Sequence, residues 1–516
     1  MRLSGYDRFD PTVEIAFTAR RGLTCGWCGF QLRLLLRQVS IDSERGEIPH
    51  TLFLHGSRPY SLGCSSSASG TCVKSRSSAG LRFFRADGVS RPTMNNRGRC
   101  LVVVIRQPVT QGMAPRATTC APSQEEESVM QPFSFATAAH LICEPGAVQR
   151  LVPLCTAWGA RSVVLVTDAG VARLDFFEAV RAAFAGSDVA LHVFDGVTAG
   201  APENVITSAA QFAKNVQANL VVGFGGGSSL DVAKLVALLA HPDCRQSLDD
   251  LYGVDKAVGQ RLPLIQVPTT AGSGSEVTPI AVVTTAHSTR IAVVSARLLP
   301  DLALLDAELT LQLPAPVTAA CGILAMGHAV EAYTGARRKN PLSDMLAREA
   351  LRLLGANLDE AVHNGSNREA RQAMLLGSCL AGQAYANAPL AAVHALAYPL
   401  GGHCQVPHGV STAVLLPHVL GFNASVAAPL YEELAPLLLG ERLRGGDATD
   451  RTEQFIIELA DLSERSGLPA RLRDVGVDQA LLPRLATDAM LHERLLTNNP
   501  REMTQAHALA IYQVAY

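Results

Sequence analysis

Three histidines, His328, His394 and His408, occur in segments made otherwise of apolar and small residues. A buried imidazole needs a polar partner, and imidazole is the side chain that most often binds metal ions. These residues therefore indicate a pocket for a metal ion or a substrate oxygen.

A glycine run, Gly225, Gly226 and Gly227, precedes Ser228 and directly follows the apolar segment 220–224. Glycines allow backbone N–H groups to approach a pyrophosphate closely, and a helix N-terminus behind them adds favourable partial charge. The run is not the GxGxxG fingerprint of dinucleotide-binding folds. A tight strand-to-helix turn would give the same pattern, so both interpretations stay open at this point.

A second loop, 268–276, follows the apolar segment 264–267 and carries the hydroxyl groups of Thr269, Thr270 and Ser273. Two such loops at the carboxyl ends of strands predict ligand binding at one edge of an open sheet. Asp168, at the end of an earlier strand, is placed to accept a hydrogen bond from a ribose hydroxyl. Its alternative role is to cap a turn or a helix.

Apolar runs and helical periodicity alternate between residues 130 and 313, which predicts an α/β domain with a parallel sheet. Residues 299–306 are expected to be a short connection. The predicted strands are 162–167, 189–194, 220–224 and 264–267, and the predicted helices are 176–184 and 205–216.

From residue 314 to residue 516 the periodicity is helical, which predicts an all-α second domain. The predicted helices are 318–335, 343–358, 368–387, 390–398, 410–423, 452–467 and 483–491.

The composition of the whole chain favours a folded enzyme. Hydrophobic residues make up 48% of the 516 residues and charged residues 17%, so a large core is possible. A net charge of -2 gives no electrostatic footprint for nucleic acid. We expect no membrane span, since no apolar run reaches the required length. The 12 scattered cysteines favour reduced thiols and a cytoplasmic location.

Residues 1–129 differ from the rest, with 17 Lys+Arg against 10 Asp+Glu and several Ser-rich stretches. We expect a disordered or non-native leader that arises from a start codon placed too far upstream, with Met130 as the true start. An Arg/Ser-rich targeting segment and a genuine extra domain are the alternatives. The CxxC formed by Cys25 and Cys28 has no βαβ context, so chance explains it best.

Several motifs occur in one order that resembles the iron-containing (group III) alcohol dehydrogenases, over about residues 130–516. They are Gly225-Gly226-Gly227-Ser228 through Asp231 and Lys234, residues 268–276, His328 with Glu331, Asn340-Pro341, Asp344, Met374, Ala381-Gly382, Val393-His394, Pro407-His408-Gly409 and Asn499-Pro500-Arg501.

This resemblance implies a dehydroquinate synthase-like architecture and hydride transfer between NAD(H) and a small alcohol or aldehyde. A divalent metal, Fe²⁺ or Zn²⁺, would sit between an α/β domain and a helical domain, and a homodimer is possible. The metal ligands would be His328, His394 and His408, and the catalytic residues His328, His394 and Tyr398. The cofactor-binding residues would be Asp168, Gly225, Gly226, Gly227, Ser228, Asp231, Thr269, Thr270 and Ser273.

Two positions depart from the family pattern. Leu324 stands where the family has a metal-binding Asp, one helical turn before His328, and Tyr398 stands where a further His is common. Three imidazoles can still bind zinc, with water or His403 as a further ligand. The alternatives are a metal-independent reductase resembling maleylacetate reductase, with histidine as electrophile and acid, and a catalytically impaired nucleotide-binding homologue.

Overall fold

The computed structural model describes residues 132–286 and 289–516, together with four short strands nearer the N-terminus. Residues Glu126–Tyr516 form one compact unit. The expectation of a non-native leader concerns residues that lie, apart from those four strands, outside the described part of the chain. Cys25 and Cys28 lie outside it as well.

The structure confirms the four predicted strands, at 162–167, 189–194, 220–224 and 264–267, to within about three residues, and it adds further strands. The strands are β1 (Thr18–Arg20), β2 (Cys72–Ser77), β3 (Gly80–Arg85), β4 (Arg99–Leu101), β5 (His140–Cys143), β6 (Ser162–Asp168), β7 (Ala190–Val197), β8 (Leu220–Gly225), β9 (Gly253–Val254), β10 (Leu264–Pro268), β11 (Ile280–Thr284), β12 (Arg290–Val294) and β13 (Leu302–Leu305). Near the N-terminus, β1 pairs with β4 and β2 with β3, both antiparallel.

A six-stranded sheet, in the order β5-β13-β10-β8-β6-β7, confirms the predicted parallel sheet. All five of its pairings are parallel. The chain passes from β6 outward to β7 and then returns to β8 on the other side of β6. The carboxyl ends of β6 and β8 therefore flank the point where the strand order reverses, which is where open sheets of this kind bind ligands.

The predicted connection 299–306 was wrong in one respect, because it contains the strand β13. All four residues of β13 are buried, and it pairs with both β10 and β5. An apolar run of four residues is too short for its periodicity to distinguish a strand from a connection. Its pairing with two neighbouring strands is what makes it a strand.

Helices cover both faces of the sheet. Alternate residues of β6 point to opposite faces, so Val164 packs with α3 and α4 while Val163 packs with α1 and α2. These helices are α1 (Leu151–Ala157), α2 (Asp175–Ala185), α3 (Glu203–Asn215) and α4 (Gly227–Leu239).

The chain after the sheet is helical, as predicted. Its helices are α5 (Ala315–Thr334), α6 (Pro341–His363), α7 (Arg368–Asn387), α8 (Ala392–His403), α9 (His408–Leu439), α10 (Ala448–Arg465), α11 (Leu482–Ala489), α12 (Glu493–Leu496) and α13 (Gln505–Val514). The helix predicted at 410–423 is much longer, because α9 continues through Pro429 and Pro436.

Two of these helices correct the expectation that no segment reaches the length of a membrane span. The helix α5 has a mean hydropathy of 1.2 over its window, and the segment His408–Arg442 reaches 1.5. Their windows are 78% and 44% buried inside the protein, respectively. Length and apolar composition are also what a core helix requires.

A buried ammonium group ties α4 to the loop after β10. Lys234 is fully buried, and its Nζ donates to Ser275 Oγ at 2.8 Å, Thr278 Oγ1 at 2.9 Å and the Ile280 carbonyl at 2.6 Å. Asp231 lies 3.7 Å from the same nitrogen. Burial lowers the pKa of Lys234 to about 8. The loop is therefore held to the sheet half of the unit by a polar network.

The other side of that loop touches the helical half. A Cβ on Gly274 would come within 2.5 Å of the Gly382 Cα in α7, and a Cβ on Gly272 within 2.7 Å of the Cys321 Cβ in α5. Gly274 also has a φ of 64°, in the left-handed region that side chains disfavour. Glycine is thus required where the two halves meet at this loop.

We predict that Gly274→Ala destabilises the protein by roughly 2–5 kcal/mol, because it combines a left-handed backbone with a collision against α7. The matched control is Gly421→Ala, an exposed position in α9 where a Cβ meets nothing within 4 Å. That control should be neutral or stabilise by about 0.5–1 kcal/mol. Urea unfolding measures both, and equal effects would contradict the close approach.

We predict that Glu276 makes the free energy of unfolding depend on pH. Its carboxyl is buried, and burial raises its pKa to about 7 from 4.5. Between these values the folded protein holds more protons than the unfolded chain, so the free energy of unfolding falls as pH rises. We expect Glu276→Gln to lose this slope, on the order of 1–3 kcal/mol between pH 4.5 and 7.5. Unfolding curves of both proteins across that window measure it, and identical slopes would refute it.

Candidate active site

The carboxyl ends of β6 and β8 bring Asp168 next to the glycine run. Asp168 Oδ1 accepts hydrogen bonds from the backbone of Gly170 at 2.9 Å and Val171 at 3.0 Å. Its Oδ2 lies 3.6 Å from where a Cβ on Gly225 would be. One oxygen thus caps a turn, which was the alternative role. The other is directed toward the loop, where the predicted ribose contact would form.

The glycine run forms an open cradle at the start of α4. Gly225 has a φ of 145°, and Gly226 precedes the helix without any side-chain cap. The first N–H groups of the helix are therefore free of a side-chain acceptor, as an anion site requires. A Cβ on Gly227 would come within 2.8 Å of the Ser273 Cβ. The cradle fits the pyrophosphate of a dinucleotide.

The second loop lies at the same edge of the sheet, as predicted, and packs against this cradle. The Thr269 N–H donates to the Gly225 carbonyl at 2.9 Å. Thr270 Oγ1 lies 3.7 Å from where a Cβ on Gly226 would be. Ser228 closes the other side, since its Oγ accepts from the Gly200 N–H at 3.1 Å. The structure therefore brings together the predicted cofactor residues of both loops.

Asp231, which we predicted to bind the cofactor, makes hydrogen bonds within the protein. Its Oδ1 accepts from the Ser275 hydroxyl at 2.5 Å, and its Oδ2 accepts from the Val282 N–H at 3.0 Å. Both oxygens are engaged within the protein. Asp231 therefore positions the second loop, and its predicted contact with the cofactor stays a prediction.

The three predicted histidines meet in the helical half of the unit. His328 comes from α5, His394 from α8, and His408 is the first residue of α9. The ring centroids of His328 and His394 are 4.8 Å apart, and those of His394 and His408 are 5.3 Å apart. Residues far apart in sequence therefore form one imidazole cluster.

Burial favours the uncharged forms of two imidazoles of this cluster, His328 and His408. Burial holds the pKa of His328 well below its ordinary value, and the nearby His394 acts in the same direction. Burial is also the main reason why the pKa of His408 lies well below its ordinary value. The charge of Arg290 is the second reason. Each ring of the cluster has one buried nitrogen without a protein partner among the described residues, namely His328 Nδ1, His394 Nε2 and His408 Nδ1.

Glu331 orients the central ring of the cluster. Its Oε2 lies 2.5 Å from His394 Nδ1, and its Oε1 accepts from the Val393 N–H at 2.7 Å. Because the carboxylate holds the Nδ1 proton, the lone pair of His394 is placed on Nε2. In the sequence, Glu331 is close only to His328. Its pairing with His394 depends on how α5 and α8 pack.

The chemistry of these donors fits a divalent cation, because neutral imidazole nitrogens without protein partners are metal ligands. A carboxylate behind one ring is the usual support for such a ligand. Leu324, one turn before His328, is buried at 7% exposure and adds no donor. Within residues 132–286 and 289–516, no group of three His, Cys, Asp or Glu side chains already converges as a metal site. Metal binding by the cluster stays a prediction.

Aromatic residues surround the cluster. The Tyr385 ring lies 4.5 Å from the His328 ring, and its hydroxyl donates to the Ser273 carbonyl at 2.8 Å. The Tyr398 ring lies 5.6 Å from the His408 ring. Tyr385 thus links the second loop directly to the histidines. It was missed in the sequence, where it is an ordinary helical aromatic residue.

Two family models match the described unit. Residues 138–307 match "Iron-containing alcohol dehydrogenase", and residues 318–516 match "Fe-containing alcohol dehydrogenase family, C-terminal". Together they span the sheet with its loops and the helices that carry the histidine cluster.

Curated relatives agree with these matches. The chain is 37% identical over 377 residues to a long-chain-alcohol dehydrogenase 1 of Geobacillus thermodenitrificans (strain NG80-2), covering 72% of this chain and 93% of the relative. It is 36% identical over 380 residues to a 1,3-propanediol dehydrogenase of Klebsiella pneumoniae, covering 72% and 96%.

Solved structures lead to the same assignment. The crystal structure of a 1,3-propanediol oxidoreductase superposes with a TM-score of 0.72 at 33% identity, covering 75% of this chain and 100% of that one. The chain therefore belongs to the iron-containing alcohol dehydrogenase family and is an oxidoreductase of that family.

Proposed function

We propose that this chain catalyses the reversible NAD-linked oxidation of a small primary or secondary alcohol to its aldehyde or ketone. The observation that carries the proposal is the contact chain from Ser273 through Tyr385 to His328. This chain connects the glycine cradle and the histidine cluster through one loop. Hydride transfer requires the cofactor and the substrate oxygen to be bound side by side.

The cradle residues bind and orient the cofactor. Gly226 and Gly227 present backbone N–H groups at the start of α4 to the pyrophosphate. The Thr270 hydroxyl lies on the facing loop, and Asp168 Oδ2 is available for a ribose hydroxyl. When bound, NAD supplies the acceptor or donor of the hydride.

The imidazole cluster holds the reacting oxygen. We propose that His328, His394 and His408 hold a divalent metal, Fe²⁺ or Zn²⁺, through their unpartnered nitrogens. Bound there, the metal would act as a Lewis acid toward the substrate oxygen. The carboxylate of Glu331 keeps the His394 lone pair on Nε2, directed away from Glu331.

Tyr398 supports the same oxygen from α8. Burial raises the pKa of its phenol, so the hydroxyl keeps its proton at neutral pH. We propose that this hydroxyl donates a hydrogen bond to the substrate oxygen, gives that oxygen its proton during aldehyde reduction, and takes up a proton from solvent once the alcohol has left.

The cellular setting is proposed in the same way. Six cysteines of the described residues, Cys143, Cys155, Cys244, Cys321, Cys379 and Cys404, are all unpaired. This supports a reducing compartment such as the cytoplasm. A homodimer, and the absence of nucleic-acid and membrane partners, remain proposals that rest on family resemblance and charge.

The test is metal analysis combined with an NAD-linked assay over a panel of small alcohols. We expect about one iron or zinc per chain, the number for a single site, and loss of turnover on chelation. His394→Ala should lower kcat/KM by roughly 100-fold or more, because the metal contributes several kcal/mol. His363→Ala, an exposed histidine at the end of α6, is the matched control and should keep full activity.

Two other outcomes of this test would contradict the metal site or the proposed function. Turnover that survives chelation would contradict the metal proposal and assign the chemistry to the imidazoles themselves. Cofactor binding without metal or turnover would leave a nucleotide-binding protein and overturn the proposed function.

Glu331→Gln tests the orientation of His394. The amide can still accept from Val393, but its NH₂ group then faces Nδ1, so the ring proton moves to Nε2 and blocks the lone pair. We expect a 10- to 100-fold loss of metal affinity and kcat/KM, typical for such supporting groups. NADH affinity should be unchanged. Glu464→Gln, on the exposed face of α10, is the control, and equal activity of both variants would contradict the role.

A further inference from the structure

Tyr398 must regain a proton in every cycle of the proposed reduction. Its phenol gives a proton to the substrate oxygen, which leaves a phenolate behind. The residue is only 8% exposed, so bulk water has little direct access to it. A neighbouring group that can both accept and release a proton is therefore required.

Most groups around the phenol cannot supply this proton. Among the described residues, the rings that contact the Tyr398 ring are those of His408, at 5.6 Å, and His492, at 5.0 Å. The free nitrogen of His408 is proposed to hold the metal. Arg290 lies 6.0 Å from the ring centre, and Arg494 adds a second positive charge. A guanidinium does not release its proton under conditions in which proteins are folded.

The carboxylates near the phenol are also unsuitable. Asp231 and Glu331 act on Tyr398 through their negative charge. Both oxygens of Asp231 accept hydrogen bonds inside the protein. Those of Glu331 are engaged by His394 and by the backbone of α8. Both carboxylates thus hold other groups in place, which leaves His492 as the neighbour that can transfer a proton.

His492 connects the phenol to the protein surface. Its ring stands nearly perpendicular to the Tyr398 ring, at an angle of 83°. The residue lies at the end of the turn between α11 and α12 and is half-buried. Its two chain neighbours are exposed, and Leu491 reaches 69%. The imidazole therefore extends inward from an exposed turn to a buried phenol.

The state of this imidazole suits proton transfer. His492 precedes α12, but its side chain caps none of the N–H groups of that helix. Burial lowers its pKa to about 4, followed by the charge of Arg494, while Asp488 acts in the opposite direction. At neutral pH the ring is therefore uncharged. Such a ring has one N–H and one lone pair, so it can accept a proton at one nitrogen and release one from the other.

We propose that His492 relays protons between solvent and Tyr398, with one water molecule bridging the imidazole and the phenol. This inference rests on the proposed function and extends it to the route of the proton.

The transfers balance in each cycle of aldehyde reduction. As the carbonyl carbon takes hydride from NADH, the O–H bond of Tyr398 breaks and an O–H bond forms on the substrate. The phenolate then takes a proton from the bridging water, which takes the N–H proton of His492. The other nitrogen of His492 takes a proton from solvent, and exchange with solvent restores the first tautomer. The net change is one solvent proton delivered to the alcohol for each hydride.

The experiment measures NADH-linked reduction of propanal by the wild type, His492→Phe and His492→Ala. Phenylalanine keeps a ring against Tyr398 and removes the nitrogens, so His492→Phe should have the melting temperature of the wild type. We expect its kcat to fall by roughly 10- to 100-fold, in the lower part of the range for acid–base groups because water still carries some protons. The KM for NADH should be unchanged.

Two further readouts separate proton transfer from packing. In His492→Phe the effect of D₂O on kcat should be larger than in the wild type, because proton transfer becomes the slow step. The effect of deuterium at the transferred position of NADH should become smaller. Added imidazole should raise kcat of His492→Ala several-fold, since the truncated side chain leaves room for it, and should not change His492→Phe.

His418→Phe is the matched control. His418 is a half-buried histidine of α9 whose pKa is also lowered by burial. It lies more than two helical turns beyond His408 in the same helix. The variant should keep the kcat and the isotope effects of the wild type.

Three outcomes would overturn the relay. The variant His492→Phe could keep the full kcat, with the proposed function intact. The kcat could fall only in His492→Ala, without rescue by imidazole, which would assign the histidine to packing against Tyr398. A wild type without NADH-linked turnover of any alcohol or aldehyde in the panel would overturn the proposed function, and the relay with it.

Discussion

The buried ammonium of Lys234 is the interaction on which the rest of the site depends. Taking such a charge out of water costs several kcal/mol, and each hydrogen bond to a charged group contributes about 1.5–3 kcal/mol. Three acceptors close to Nζ, on Ser275, Thr278 and Ile280, are therefore of the right order to offset the burial. Because these acceptors follow one another along the loop after β10, satisfying the charge also sets the path of that loop.

The loop then decides how the two halves of the unit meet. Its glycines touch α5 and α7 where no side chain fits, and the carbonyl of Ser273 receives the hydroxyl of Tyr385. Tyr385 packs on His328. A charge buried beneath the cofactor cradle is thus connected, through backbone and one phenol, to the first ring of the histidine cluster. One segment therefore links the glycine cradle to the histidine cluster.

Electrostatics divides this site into two environments. Burial penalises the charged forms of His328 and His408, and this leaves nitrogen lone pairs of these two rings available for a cation. Arg290 keeps its charge a short distance away, on the glycine surface of α8.

The sequence alone determined the parallel sheet, the helical second half, the glycine cradle and the three histidines, since apolar periodicity and local motifs carry that information. It also marked Leu324 and Tyr398 as departures from the family pattern. Tertiary structure decided the role of Asp231, whose carboxylate is taken by Ser275 and Val282. It likewise decided the state of β13 and the pairing of Glu331 with His394. Each of these depends on which residues are neighbours in the folded protein. The sequence of a single chain does not show those contacts.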